Sequence, residues 1–145
     1  MFIGSHVSIR KGFLGAARTA AAIGGTAFQY FPKNPRSLSV KEFDHADAEA
    51  CAAFCRREGI ISIAHAPYPA NLAAEDPHMQ EVTVQSLLND LEIVEACGSI
   101  GLVVHFGKYK GKDPLQGYKK YYTITEPGHS GMAWERAGAY RKPGG

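Results

Sequence analysis

The sequence is poor in the features that would classify it at a glance. It has three cysteines, an odd number, and Cys51, Cys55 and Cys97 all fall in segments that read as helices. A disulfide framework is therefore excluded as the organising principle, and buried thiols are expected. Cys51 and Cys55 also lack a second Cys/His pair, which argues against a zinc site built on them. Charge of one sign is missing too: 16 Lys and Arg stand against 14 Asp and Glu, a net charge of +2. That is too small to imply a polyanionic partner from bulk electrostatics, so any such partner has to be argued from local residues. No stretch approaches the ~20 apolar residues of a membrane span, and 1–9 contain no cationic segment leading into an apolar run. A soluble, cytoplasmic protein without membrane contact is the expectation.

What is present suits folding. With 45% hydrophobic and 21% charged residues over 145 positions, neither disorder nor a fibrous repeat is a sensible reading. The length allows one domain with a real core but is short for a closed eight-unit barrel.

Along the chain, one unit repeats. Phe2 to Val7 is a short apolar run, followed by Gly12, an alanine-rich stretch from Phe13 to Ile23 and a Gly24-Gly25 stop, which reads as strand, loop, helix and turn. Thr26 to Phe31 is β-prone, Pro32 to Ser37 is loop chemistry, and Ser39 with Glu42 forms a capping-box signature predicting a helix to about Glu58. Ile60 to Ala64 predicts a third strand ending at His65. Asp76-Pro77 opens the longest helix, with Val84, Leu87, Leu88, Leu91 and Val94 as its apolar stripe and Gly98 beyond its end. Ile100 to Val104 is a fourth strand. Continuously apolar strands alternating with amphipathic helices argue for a parallel sheet covered on both faces. The pattern then fails: 121–145 has glycines and prolines but no three-four apolar spacing, and reads as an irregular tail, frameshifted or disordered.

His6, His65 and His105 each stand at the C-terminal end of a predicted strand. That rim is where parallel α/β folds bind ligands, because the following loops and helix N-termini converge there, and neutral imidazole is a common zinc ligand. Lys33 to Arg36 and Pro67 to Asn71 follow strands two and three and should face the same rim. Arg36 could meet phosphate, and Tyr68 could stack on an exposed base or sugar. Gly107 to Lys112 adds three lysines and a tyrosine after strand four.

Four ordered segments carry a resemblance: Ile3 to Ser8, Phe28 to Arg36, His65 to Tyr68 with Asn71-Leu72, and Leu102 to His105 with Gly107. Together they resemble the first four strand-end motifs of the endonuclease IV (deoxyribonuclease IV) family, within the xylose-isomerase-like superfamily. The resemblance implies an α/β fold of TIM-barrel type, with only the first four β/α units in 1–120. It also implies a hydrolase that uses three zinc ions per full-length member to cut DNA 5′ to abasic sites in base excision repair. Carried over residue by residue, His65 and His105 are metal ligands. Arg36 and Tyr68 are the residues that penetrate the duplex, with Asn71 close by, and His6 lies near the metals without ligating one. Where the family usually has His-Pro-Gly, this chain has His105-Phe106-Gly107, which keeps the ligand. The acidic and histidine ligands of the later strands have no counterparts, and Glu126, His129 and Glu135 inherit no role.

Several expectations follow. Double-stranded DNA with abasic sites is the implied partner. Two histidines make a weak zinc site, since catalytic zinc generally has three protein ligands, so the chain alone should incise weakly or not at all. Exposed sheet edges should promote self-association. The rival readings are a sugar isomerase or epimerase of the same superfamily and a non-catalytic DNA-binding fragment.

Overall fold

The computed structural model describes residues 1–105, 107–111, 113 and 115–119; the expectation for 121–145 lies outside them. Among the described residues up to Val103, seven elements alternate: β1 (Gly4–His6), α1 (Gly12–Ala22), β2 (Ala27–Tyr30), α2 (His45–Glu58), β3 (Ile61–His65), α3 (Pro77–Ala96) and β4 (Leu102–Val103). The strands form one parallel sheet in the order β1-β2-β3-β4, as the repeated strand-helix pattern predicts. Each unit ends by returning the chain to the same edge of the next strand. This is part of a barrel, four strands and the three helices that connect them in sequence order.

Burial alternates along β2 and β3, with Phe28, Tyr30, Ser62 and Ala64 buried and the residues between them half-buried. Side chains on a strand point to opposite faces in turn, so one face of the sheet is packed and the other open. Coverage on both faces was the expectation. Among the described residues the helices cover only one, and Gln29, Phe31, Ile63 and His65 share the other. The packed side joins Phe28, Tyr30 and Ala64 to Phe13, Ala16, Ala17 and Ala20 of α1, Ala48 and Cys51 of α2, and Ile93 of α3. Small residues on α1 and α2 let the two helices approach closely. All three cysteines are buried and unbridged, as expected.

Two local readings are corrected. The capping box at Ser39 does not open α2: the helix begins at His45, capped by Asp44, whose side chain accepts from the Asp47 N–H. The reason is Asn89 of α3, whose Oδ1 accepts from the Lys41 N–H at 2.8 Å and whose Nδ2 donates to the Lys41 carbonyl at 3.0 Å. With both of its main-chain groups taken by a side chain, Lys41 cannot enter a helical ladder. Lys33 is the second correction. Expected on the rim beside Arg36, it is buried, with its ammonium 3.1 Å from Asp90 and donating to the Ser86 carbonyl at 2.7 Å. The loop between β2 and α2 is thus pinned to α3 at two points.

α3 starts as predicted, with Asp76 accepting from the His78 N–H and Pro77 at the first turn. Its buried face includes Thr83, Ser86, Asn89 and Asp90 as well as Val84, Leu87 and Val94. Among the described residues no helix is long and apolar enough to cross a membrane.

Candidate metal and nucleic-acid site

The β3 and β4 ends bring His65 and His105 together. Register pairs His65 with Val103, so two more residues of β4's extension carry His105 to the same mouth of the sheet. Their Nε2 atoms lie 3.1 Å apart, and the ring centroids are 5.1 Å apart. The Nδ1 of His65 is 2.7 Å from the Ala66 carbonyl. A carbonyl only accepts, so Nδ1 carries the proton in this contact, and in the neutral ring Nε2 is then the lone-pair nitrogen facing His105. An N–H of His105 or a shared cation can meet that lone pair. A ligating histidine commonly has its other nitrogen held by a carbonyl in this way.

Does this pair fit zinc? Two nitrogens bound ~2.0 to 2.1 Å from one tetrahedral ion stand roughly 3.3 Å apart, close to the spacing here. Imidazole is also the right donor. The pair therefore fits two positions of one ion. Among the described residues no group of three His, Cys, Asp or Glu completes a site.

Phe31 sits at the centre of the rim and was not singled out from the sequence. Its ring lies 4.7 Å from His6, 5.1 Å from His65 and 5.2 Å from Tyr68, centroid to centroid. It fixes the His65 ring from the side and separates it from His6. The parity of β2 could have revealed this, since Phe31 is two residues beyond Gln29 and so projects onto the same open face. His6 stands one layer lower: it pairs in register with Gln29, and its Nδ1 lies 3.2 Å from Gln29 Oε1. The structure does not bring His6 into the His65–His105 pair.

Arg36 and Tyr68 are both exposed, and Tyr68 is 68% accessible. Their loops are tied together, because the Tyr68 N–H donates to the Pro35 carbonyl at 2.8 Å. The Arg36 N–H donates to Asn34 Oδ1 at 3.0 Å, which closes a tight turn under the guanidinium. Asn71 is differently employed. Its Nδ2 donates to the Lys108 carbonyl at 3.1 Å and its Oδ1 accepts from the Ala73 N–H at 3.1 Å. Gly107 has φ +85°, and a Cβ there would overlap Asn71 Oδ1. Asn71 thus braces the loop that follows His105.

Behind the rim, burial raises the Asp90 carboxyl to about 6, with the nearby Lys33 ammonium working in the opposite direction. Among the described residues, neither Asp90 oxygen, nor the hydroxyls of Thr83 and Ser86, has a partner in hydrogen-bond geometry. The Lys33 contact is an ion pair by distance. Sequence inspection missed Asp90 and Asn89, although polar residues at 83, 86 and 90 recur at helical spacing within a stripe that otherwise packs.

Residues 17–126 match the model of the xylose isomerase-like TIM barrel family. The chain belongs to that family. It is 43% identical over 117 residues to a probable endonuclease 4 of Symbiobacterium thermophilum, covering 81% of this chain and 42% of that protein. The crystal structure of endonuclease IV from Thermus thermophilus superposes with a TM-score of 0.72 at 36% identity, over 86% of this chain and 47% of the other. A D-tagatose 3-epimerase-like protein shares the fold, with a TM-score of 0.57 at 15% identity over 84% of this chain and 46% of the other. The chain spans about half the length of the curated relatives it matches, in keeping with part of a TIM barrel.

Proposed function

We propose that this chain carries part of the site of a zinc-dependent apurinic/apyrimidinic endonuclease, which cleaves the DNA phosphodiester 5′ to abasic sites in base excision repair. The single observation behind this reading is the 3.1 Å approach of His65 Nε2 to His105 Nε2, with the other nitrogen of His65 held at the Ala66 carbonyl. Zinc held there would supply an acidified water and a Lewis acid for the phosphodiester oxygens. The protein's own part is to orient both imidazoles: Ala66 holds the far nitrogen of His65, Phe31 packs its ring, and Asn71 braces the loop behind His105. Arg36 and Tyr68, on tethered and exposed loops, are the residues to enter the duplex. Extrusion is least costly where no base pair has to be lost, so damage can be recognised without reading sequence.

With two ligands among the described residues, the 145-residue chain is expected to bind zinc weakly and to incise abasic DNA at a negligible rate. Calorimetric zinc titration and incision of an abasic duplex test this directly. Loss of the zinc signal in His65→Ala and in His105→Ala is the expected result. Zinc-independent incision, or zinc binding unchanged in both variants, refutes the metal assignment.

The epimerase alternative has a common fold behind it, but the low identity of that likeness carries nothing about chemistry. Turnover of a ketose sugar would favour it. A purely DNA-binding role predicts salt-sensitive affinity that chelators leave untouched.

A further inference from the structure

Three thiols meet in the core, on the helix side of the sheet and away from the rim. Cys51 and Cys55 stand one turn apart on α2, Cys97 caps the C-terminus of α3, and all three belong to one buried cluster with Tyr30 and Ile93. Each is at most 6% exposed. The backbone brings α2 and the end of α3 into direct contact here: Gly98 has φ +62°, and a Cβ on it would stand 3.2 Å from the Ala52 Cβ. Cys97 and Cys51 are the residues immediately before that contact on its two sides. The turn after α3 is fixed in place, because the Ser99 N–H donates to the Val94 carbonyl at 3.0 Å and the Ser99 hydroxyl meets those of Tyr30 and Ser62 at 2.9 and 2.8 Å.

Cys51 is the centre of the trio. Hydrogen bonding to Cys55 and to Cys97, with burial added, pushes its thiol up. The same contact with Cys51 lowers the Cys55 and Cys97 thiols against the effect of burial, and the Tyr30 hydroxyl adds to it at Cys97. Only one of the two pairs can bridge while the helices stand. Residues four apart on a helix have Cβ atoms ~5 to 6 Å from each other, whereas a disulfide holds them at ~3.5 to 4.5 Å, so a Cys51–Cys55 bond would unwind α2. Cys51 and Cys97 approach from two packed elements and carry no such restriction.

We propose that Cys97 and Cys51 form a peroxide-sensitive disulfide site, which cross-links the end of α3 to the middle of α2 and leaves Cys55 as a thiol. The oxidant is hydrogen peroxide, small enough to enter when the last turn of α3, beside the exposed Gly98, opens locally. Cys97 attacks one peroxide oxygen as the thiolate, the O–O bond breaks, and the departing hydroxide takes up the thiol's proton as water. The Cys51 sulfur then attacks the resulting sulfenic sulfur, the S–O bond breaks, and the hydroxyl leaves with the Cys51 proton as a second water. Two thiols are oxidised to one disulfide and one peroxide is reduced to two waters. The site is independent of the nuclease reading.

The test treats the intact 145-residue chain with hydrogen peroxide in native buffer, alkylates the remaining thiols after unfolding in urea, and maps the peptides by mass spectrometry without reduction. Expected is a fall from the three thiols of the reduced chain to one, with the Cys51 and Cys97 peptides joined within a single chain and all three thiols restored by dithiothreitol. The urea midpoint of the oxidised chain should rise, since a cross-link closing a long loop restricts the unfolded state. Cys51→Ala should stop at a Cys97 sulfenic acid that dimedone traps, and Cys55→Ala should cross-link as the parent does. Mapping of the parent depends on no variant. A bridge that includes Cys55, a disulfide between two chains, sulfinic acid in place of a bridge, or oxidation that proceeds only in urea overturns the site.

Discussion

Lys33 and Asp90 form an ion pair 3.1 Å apart, in which the side chains are 2% and 0% exposed. Taking two charges out of water is costly, and their attraction offsets that cost only when the remaining hydrogen bonds are good. Here only the ammonium has them, as to the Ser86 carbonyl, while among the described residues neither Asp90 oxygen has a donor in hydrogen-bond geometry. The pair therefore does more to place the β2–α2 loop than to stabilise the fold. Lys33→Met alone should cost about 3 to 5 kcal/mol by stranding Asp90, whereas Lys33→Met/Asp90→Leu should come close to parental stability. Urea denaturation of the three chains checks this; a double variant as damaged as the single one contradicts it.

The same carboxyl gives the fold a pH dependence of unusual sign. Burial raises Asp90 from the ordinary 3.8 to about 6, so between those values the folded chain holds a proton that the unfolded chain has released. Its contribution to stability is full below about pH 4 and is lost as pH rises through about 6, on the order of 3 kcal/mol in all. Most paired carboxylates act the other way. Urea midpoints at pH 4, 5, 6 and 7 should fall more steeply for the parent than for Lys33→Met/Asp90→Asn, which has no titrating group at this place. Parallel curves for the two chains would remove Asp90 as the cause.

Asp47 links two helices that the sequence presents as separate. Lys11, at the start of α1, provides no side-chain cap, and Asp47 of α2 accepts from the Phe13 and Leu14 N–H groups at 2.6 and 3.4 Å in its place. Asp47→Ala should cost about 1 to 2 kcal/mol, the usual loss for a cap. Hydrogen exchange should quicken at the amides of 13 and 14 before the rest of α1. Uniform quickening along α1 would mean that the residue supports the helix through packing instead.

How far could this be read in advance? The alternation of strand and helix, the parallel order and the meeting of His65 with His105 were all legible, because each follows from local periodicity and from the shared end of parallel strands. The start of α2 was not, since Ser39 and Glu42 match a capping box locally while Asn89, 48 positions from Lys41, removes the backbone groups that a helix there would need. Lys33 misled for a related reason. A lysine in a loop beside Asn34 and Arg36 looks solvated, and only the fold brings Asp90 beneath it. Phe31 was hidden among ordinary β-formers, although the two-residue period of β2 placed it on the open face. Long-range side-chain contacts leave no periodic trace, and they decided both the start of α2 and the place of Lys33.

Asn71 resembles a DNA-contacting residue by motif, but its amide is occupied on both sides by the Lys108 carbonyl and the Ala73 N–H. If its role is to brace the loop after His105, Asn71→Ala should weaken zinc binding about tenfold, as loss of a supporting group around a metal ligand generally does. Gly107→Ala should do the same, because it places a methyl against the Asn71 amide at a φ that side chains avoid. A role limited to DNA predicts unchanged zinc affinity in Asn71→Ala with weaker duplex binding. Calorimetry with zinc alone separates the two.

The open face of the sheet bears on assembly. Among the described residues β1 and β4 are edge strands, and Phe2, Ile3 and Ile100 beside them are 62%, 60% and 66% exposed. Unpaired strand edges with apolar neighbours recruit other edges, and barrels avoid this by closing. Helices bury one face here, while Ile61 and Ile63 remain half-buried on the other. The 145-residue chain should therefore associate with itself through the edges and the open face, with a weight-average sedimentation coefficient that rises across the micromolar range. Ile3→Lys/Ile100→Lys, which sets a charge beside each edge, should shift that rise to at least tenfold higher concentration while leaving the packed face intact. A parent chain that sediments as a stable monomer at high micromolar concentration would show instead that the described edges are already protected, and the stickiness argued from the open sheet would have to be abandoned.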